Sequence, residues 1–202
     1  MNAPVLLKPL DILATMRGVK GWLDDVEAEL LFAAAVEATR GERIRTFVEI
    51  GSYQGRSTVV LGGVLRALSP QSMLYAVDPH EGTVGAADKR LNHGVPTFDA
   101  FIANITHAGV AEVVKPIRSL SYETAWDQPI DLLFVDGLHD RENVERDFRH
   151  FEPYLLPDAV VLFHDYAGYY PGVVAFVDAL VAEGWEMVDR AASMAMLRRP
   201  AG

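Results

Sequence analysis

Four apolar runs of β-type residues, each leading through a turn into a helical pattern, constrain this chain more than any other feature. They are Thr46–Ile50, Met73–Val77, Ile130–Val135 and residues 159–163. The helical patterns after them cover 55–68, 98–108, 141–155 and 172–183, and a short strand is expected at 113–117. Several of these strands are apolar on both faces. Alternating strands and helices of that kind predict an α/β fold, with a parallel sheet covered by helices on both sides. Such a sheet binds ligands beyond the carboxyl ends of its strands. Polar residues collect at those ends: Glu49 and Gly51, Asp78 and His80, Asp136, and His164 with Asp165.

Upstream, residues 22–40 read as a helix with Asp24 and Asp25 near its start and an apolar stripe through Val26, Leu30, Leu31, Ala34 and Ala35. Downstream, 185–188 and 194–197 suggest a closing hairpin. Residues 81–96 hold Gly82, Gly85, Gly94 and Pro96, which predicts a long loop. No repeat or linker divides the chain. Residues 1–40 are expected to form an N-terminal helical segment of the same domain, and 41–202 the ligand-binding part.

Composition removes several functions. The net charge is −10 with no basic cluster, which argues against nucleic acid as a partner. There is no cysteine, hence no disulfide, thiolate nucleophile or thiolate metal site. The first eight residues lack a signal-peptide pattern, and no apolar run is long enough for a membrane span. A cytoplasmic protein with no membrane partner is the expectation.

The turn Glu49-Ile50-Gly51-Ser52-Tyr53-Gln54-Gly55-Arg56-Ser57-Thr58 joins a strand to a helix N-terminus, where a nucleotide-like ligand can meet the backbone. Its spacing, Glu-x-Gly-x-x-x-Gly, differs from the Gly-x-Gly-x-x-Gly of dinucleotide sites. Asp78, ending the second strand, can accept hydrogen bonds from two ribose hydroxyls, a role favoured here over a simple turn cap before Pro79. Asp136 and Asp165 each follow an apolar strand, so both carboxylates should stand at the sheet rim, where they could bind a hard divalent cation or merely cap loops. His139 and His164 beside them are candidate general bases or further ligands. Tyr166, Tyr169 and Tyr170 either wall a pocket or pack their loop. Tyr53 and Ser119 are placed to touch a ligand, whereas Arg56, Lys115 and Arg118 read as solvated charges. His80 reads as ligand contact or loop residue; His93, His107 and His150 read as surface or packing residues.

Four motifs in order then carry a family resemblance: Val48–Ser57, Ala76-Val77-Asp78-Pro79, Phe134-Val135-Asp136-Gly137-Leu138-His139 and Leu162-Phe163-His164-Asp165-Tyr166. From about Gly21 to Leu197 the chain resembles the class I S-adenosylmethionine-dependent methyltransferases, in particular the small-molecule O-methyltransferase-like group. The resemblance implies a Rossmann-like three-layer sandwich with a mostly parallel seven-stranded sheet, its last strand antiparallel. It implies that Glu49, Gly51, Ser52, Tyr53, Gly55 and Ser57 surround the methionine part of S-adenosylmethionine. Asp78 would take the ribose, and the region of Ser119 the adenine, with Asp136 also at the cofactor. Asp136 and Asp165 match the positions where metal-dependent relatives bind a divalent ion such as magnesium. Those relatives usually carry Asp or Asn where this chain has Tyr166. Leu138 and Arg141 likewise replace a second Asp and a Tyr.

Together these features lead to an expected O-methylation of a small, hydroxyl-bearing metabolite, with Asp136, His139 and His164 as catalytic candidates. The alternatives are an NAD(P)-type oxidoreductase or a non-catalytic cofactor-binding relative. Leu6, Leu7, Leu10, Ile12 and Leu13 need burial, either in a homodimer or as a lid on their own domain.

Overall fold

The computed structural model describes residues 6–82 and 95–199. Helices α1 (Pro9–Arg17) and α2 (Asp25–Ala38) precede β1 (Thr46–Ile50), α3 (Arg56–Leu68) and β2 (Met73–Val77). Then come α4 (Phe98–His107), β3 (Val114–Ile117), β4 (Ile130–Val135), α5 (Arg141–Phe151) and β5 (Leu155–Phe163). Helix α6 (Pro171–Ala182) and the hairpin β6 (Glu186–Ala191) and β7 (Met194–Arg198) close the chain. The seven strands form one sheet in the order β3-β2-β1-β4-β5-β7-β6. The first five are parallel; β7 is antiparallel to both its neighbours, β5 and β6. This is the Rossmann-like sandwich expected, with the last strand reversed.

Alternation along each strand splits the core into two layers. Phe47, Leu74, Leu132, Phe134, Val160 and Leu162 face α1 to α4. Val48, Ile50, Leu133, Val135, Val161 and Phe163 face Val144, Phe148 and Phe151 of α5 and Val173, Phe176 and Val177 of α6. Both faces being dry explains why the strands read as continuous apolar runs. The edge strand β6 instead carries exposed charges, Glu186, Asp189 and Arg190, which discourage pairing with another chain.

Several boundaries differ from expectation. Helix α5 stops at Phe151 because Pro153, which cannot donate to a helical ladder, sits in a single 3₁₀ turn, Glu152–Tyr154. The next strand therefore begins at Leu155 rather than 159. Helix α2 starts at Asp25, not 22, because Asp24 and Glu27 form a reciprocal capping box. Strand β6 runs to Ala191, three residues beyond the expected end at 188. In the N-terminal segment, Leu13 and Met16 of α1 are buried in the core shared with α2 and α3, and Ile12 and Leu7 pack partly against it. Leu6 and Leu10 are exposed. Most of the expected 81–96 loop, and His93, lie outside the described residues. Among the described residues no helix is long and apolar enough to cross a membrane.

Candidate active site

The carboxyl ends of β1 to β5 surround a cavity of about 640 Å³. That lies within the usual range for small-molecule sites, roughly 300–1,000 Å³.

The first wall is the turn after β1. Gly51 has φ +87°, and a Cβ there would stand 2.0 Å from the backbone oxygen of Asp136. Only glycine lets the β1 and β4 turns approach this closely. Gly51 and Tyr53 line the cavity; Glu49, Ser52, Gly55 and Ser57 do not. The family resemblance puts all six around a ligand, but these four stand behind the wall. Glu49 is fully buried, with Oε1 accepting from the Ser57 hydroxyl and Oε2 from the Thr58 hydroxyl, both at 2.5 Å. The side chain braces the turn from inside. Burial, which these two hydrogen bonds only partly offset, pushes its carboxyl up to about 7; the nearby charges of Asp136 and Asp78 add to the rise. Ser52 and Ser57 are buried with it, and Gly55 lies against Phe101 and Ile105.

Asp78 is held by the backbone. Its Oδ2 accepts from the Tyr53 N–H at 2.8 Å and its Oδ1 from the His80 N–H at 2.7 Å. Two donors leave further lone pairs of the carboxylate for the cavity it lines. His80 proves to be a loop anchor. It is buried against Phe98 and Phe101, and its Nδ1 lies 2.9 Å from the Thr97 hydroxyl. At the far end, Ser119 and its neighbours after β3 meet Gly137 after β4 and Asn143, Arg146 and Asp147 of α5. Burial raises the Asp147 carboxyl to about 6, against the Ser121 hydroxyl that it accepts from.

The ends of β4 and β5 bring the expected charged residues into one cluster. His139 Nε2 lies 2.8 Å from Asp165 Oδ2. His164 Nδ1 lies 3.2 Å from Asp136 Oδ1 and 3.2 Å from Asp165 Oδ2. Its Nε2 faces Glu27 Oε2 at 3.0 Å. Burial alone would push the His164 ring down. The Asp136 charge, with the Asp165 carboxylate at 3.2 Å and the Glu27 carboxylate at Nε2, instead holds it well above the usual imidazole value. Asp165 behaves in reverse: burial would raise it, but His139 and His164 keep it far below the ordinary carboxyl range. Asp165 and Tyr53, both in the cavity wall, are non-glycine residues at positive φ, 61° and 47°. Strained backbone of this kind persists where the surroundings over-determine it, as at functional sites. One ligand atom from each of Asp136, His139 and Asp165 lies within 4.8 Å of the others, a spacing that could hold a metal ion. Of the three tyrosines, Tyr170 packs at a tilt on His139 with ring centroids 4.2 Å apart, Tyr166 donates to Asp178 at 2.7 Å, and Tyr169 is exposed.

Sequence reasoning missed several residues. Glu27 reaches the cluster from α2; the Asp24-x-x-Glu27 spacing could have marked the cap, although not its contact with β5. Lys20 and Trp22, from the α1–α2 connection, line the cavity, with Trp22 5.2 Å from Tyr53. Arg56 is no solvated charge. It donates to the carbonyls of Leu23 and Val19, each at 2.7 Å, and straps that connection to the start of α3.

Comparison with known proteins agrees with this fold. A family model described as a methyltransferase domain matches residues 48–166, more than half of the chain. The solved O-methyltransferase NovP superposes with a TM-score of 0.70 at 19% identity, covering 86% of this chain and 79% of that one. The O-methyltransferase TomG from Streptomyces achromogenes, solved with S-adenosylmethionine, gives 0.64 at 16% identity, covering 96% and 89%. Two curated relatives are uncharacterized proteins. One, from Sinorhizobium fredii, is 29% identical over 61% of this chain; the other, from Acanthamoeba polyphaga mimivirus, is 26% identical over 68%. The chain spans 13% and 60% of their respective lengths.

Proposed function

Given that this chain belongs to the class I S-adenosylmethionine-dependent methyltransferase family, we propose that it methylates a hydroxyl oxygen of a small metabolite. The observation that carries this reading is one cavity holding both the Gly51–Asp78 wall and the Asp136–His139–Asp165 cluster. S-adenosylmethionine supplies a sulfonium methyl that is already electrophilic, which leaves alignment and proton removal to the protein.

The residues present fit that cofactor. The close approach of the β1 and β4 turns at Gly51 shapes the cavity wall there, and Gly51 and Tyr53 line the part that would take the methionine end. Asp78, pre-set by two backbone donors, offers its remaining lone pairs to ribose hydroxyls. The adenine falls to the wall of Ser119, Leu120 and Gly137. His139 takes the acceptor proton at Nδ1, with its Nε2 held beside Asp165. Asp165 orients the ring and stabilises the imidazolium that forms. His164, already held as a cation between carboxylates, is a counter-charge rather than a base.

Metal assistance is a second reading, favoured by the Asp136, His139 and Asp165 spacing. An ion there would share oxygens with His164 Nδ1, which lies 3.2 Å from both carboxylates.

Family membership leaves the oxidoreductase alternative without support, and titration calorimetry with S-adenosylhomocysteine and with NADH tests it directly. Binding of NADH but not of S-adenosylhomocysteine would overturn the cofactor reading. Methyl transfer to a panel of phenols, sugars and polyketide-like alcohols separates an enzyme from a non-catalytic relative. Turnover that survives a chelator supports His139 as base. Turnover lost on chelation and restored by magnesium supports the metal instead.

A further inference from the structure

Glu27 sits in the first turn of α2, 137 residues before His164, and is buried. A capping-box glutamate needs only one partner, the backbone N–H at the helix start, and is usually solvated. This one has four. Its Oε2 accepts from the Asp24 N–H at 3.0 Å and meets His164 Nε2 at 3.0 Å. Its Oε1 accepts from the Ser193 N–H at 3.0 Å and from the Ser193 hydroxyl at 2.5 Å. Ser193 lies in the turn between β6 and β7, so the carboxylate is clamped between α2 and the closing hairpin.

The other edge of the same imidazole faces the cavity cluster. His164 Nδ1 lies 3.2 Å from Asp136 and from Asp165, and Asp165 Oδ2 lies 2.8 Å from His139 Nε2. With a carboxylate on each edge, the ring has one favourable orientation. Turning it over would set carbon atoms against Glu27, Asp136 and Asp165. We propose that Glu27 is a positioning residue for acceptor deprotonation. It fixes the His164 ring, His164 fixes the Asp165 carboxylate, and Asp165 sets the direction of His139. Glu27 itself lies outside the residues that line the cavity. The proposal rests on His139 being the base of the reading above.

The test compares wild type with Glu27→Gln, both with EDTA, using ¹⁵N-histidine spectra, calorimetry with S-adenosylhomocysteine and methyl transfer. Glutamine keeps the side-chain shape and an acceptor for Ser193 but removes the charge at His164. The ring nitrogens of His139, which Glu27 does not touch, should shift toward those of an imidazole without a carboxylate partner. S-adenosylhomocysteine affinity should stay within about threefold, while kcat falls by at least about tenfold at nearly unchanged KM. Unchanged His139 signals overturn the proposal, as does an unchanged kcat. Wild type that fails to bind S-adenosylhomocysteine overturns the functional reading instead, and the histidine spectra still decide the positioning. If Glu27→Gln does not fold, Ser193→Ala loosens Glu27 from the hairpin side. A smaller His139 shift in the same direction is then expected, and none refutes the proposal.

Discussion

Replacing Glu49 by glutamine should stabilise this protein at alkaline pH and do little at acidic pH. Glu49 is fully buried, and its carboxyl is raised from an ordinary 4.5 to about 7. The folded state therefore holds a proton that the unfolded state releases above pH 4.5. Stability from this group is present below about pH 4.5 and is lost as pH rises through 7. Each tenfold difference in proton affinity between the folded and unfolded states is worth about 1.4 kcal/mol, so by pH 8 about 3 kcal/mol of that contribution is gone. Glutamine resembles the protonated carboxyl: its amide donates to one of the Ser57 and Thr58 hydroxyls and its oxygen accepts from the other. The variant should match wild type near pH 4.5 and exceed it by about 3 kcal/mol at pH 8. For a chain of this length that is about 6–12 °C in melting temperature. Taking the difference between the two proteins at each pH, by urea or thermal unfolding, cancels every other titrating group. A difference that does not grow between pH 5 and 8, or that favours wild type at pH 8, refutes the assignment of a protonated Glu49.

Glu27 should show the opposite pH dependence. Burial would raise it, but His164, Ser193 and the Asp24 N–H bring it down to about 2. Its stabilisation is present above about pH 4.5 and lost as pH falls toward 2, so the unfolding difference between wild type and Glu27→Gln should shrink over that window; a constant difference contradicts the pairing. Gly51→Ala meets both a left-handed backbone and the Asp136 carbonyl at 2.0 Å, and should cost at least about 2 kcal/mol. It should also abolish S-adenosylhomocysteine binding in calorimetry; retained affinity would show that the turn can open without consequence. Arg56→Ala removes two charged hydrogen bonds to carbonyls of the α1–α2 connection and should cost about 2 kcal/mol. Limited proteolysis should then cut within residues 17–23 first, and unchanged cleavage there would remove the strap from the account.

Local chemistry made much of this protein legible from the chain. Apolar runs such as Ile130–Val135 and the helical periods between them led to a parallel sheet, because a strand dry on both faces needs helices on both faces. Glycine at 51 and acidic residues at strand ends marked the rim, since polar groups can leave a buried sheet only at its ends. Asp78, Asp136, His139 and Asp165 were found that way, and the structure gathers them around one cavity. The ends of elements were less legible. Pro153 shortened a helix in favour of a strand whose pairing with β4 only the assembled sheet supplies.

Direction, burial and distant partners were decided by the tertiary structure alone. The motif around Glu49 does not say whether its carboxylate faces a ligand or the core; the strand's pleat and the Ser57 and Thr58 hydroxyls turn it inward. The His164-Asp165 pair does not say which histidine is charged. That depends on Asp136 and Asp165 beside His164 Nδ1 and on Glu27 beside its Nε2, and the place of Glu27 comes from packing α2 against the β6–β7 hairpin. Electrostatics acts through space over a few ångströms, and no spacing along a sequence encodes a contact between residues 137 positions apart.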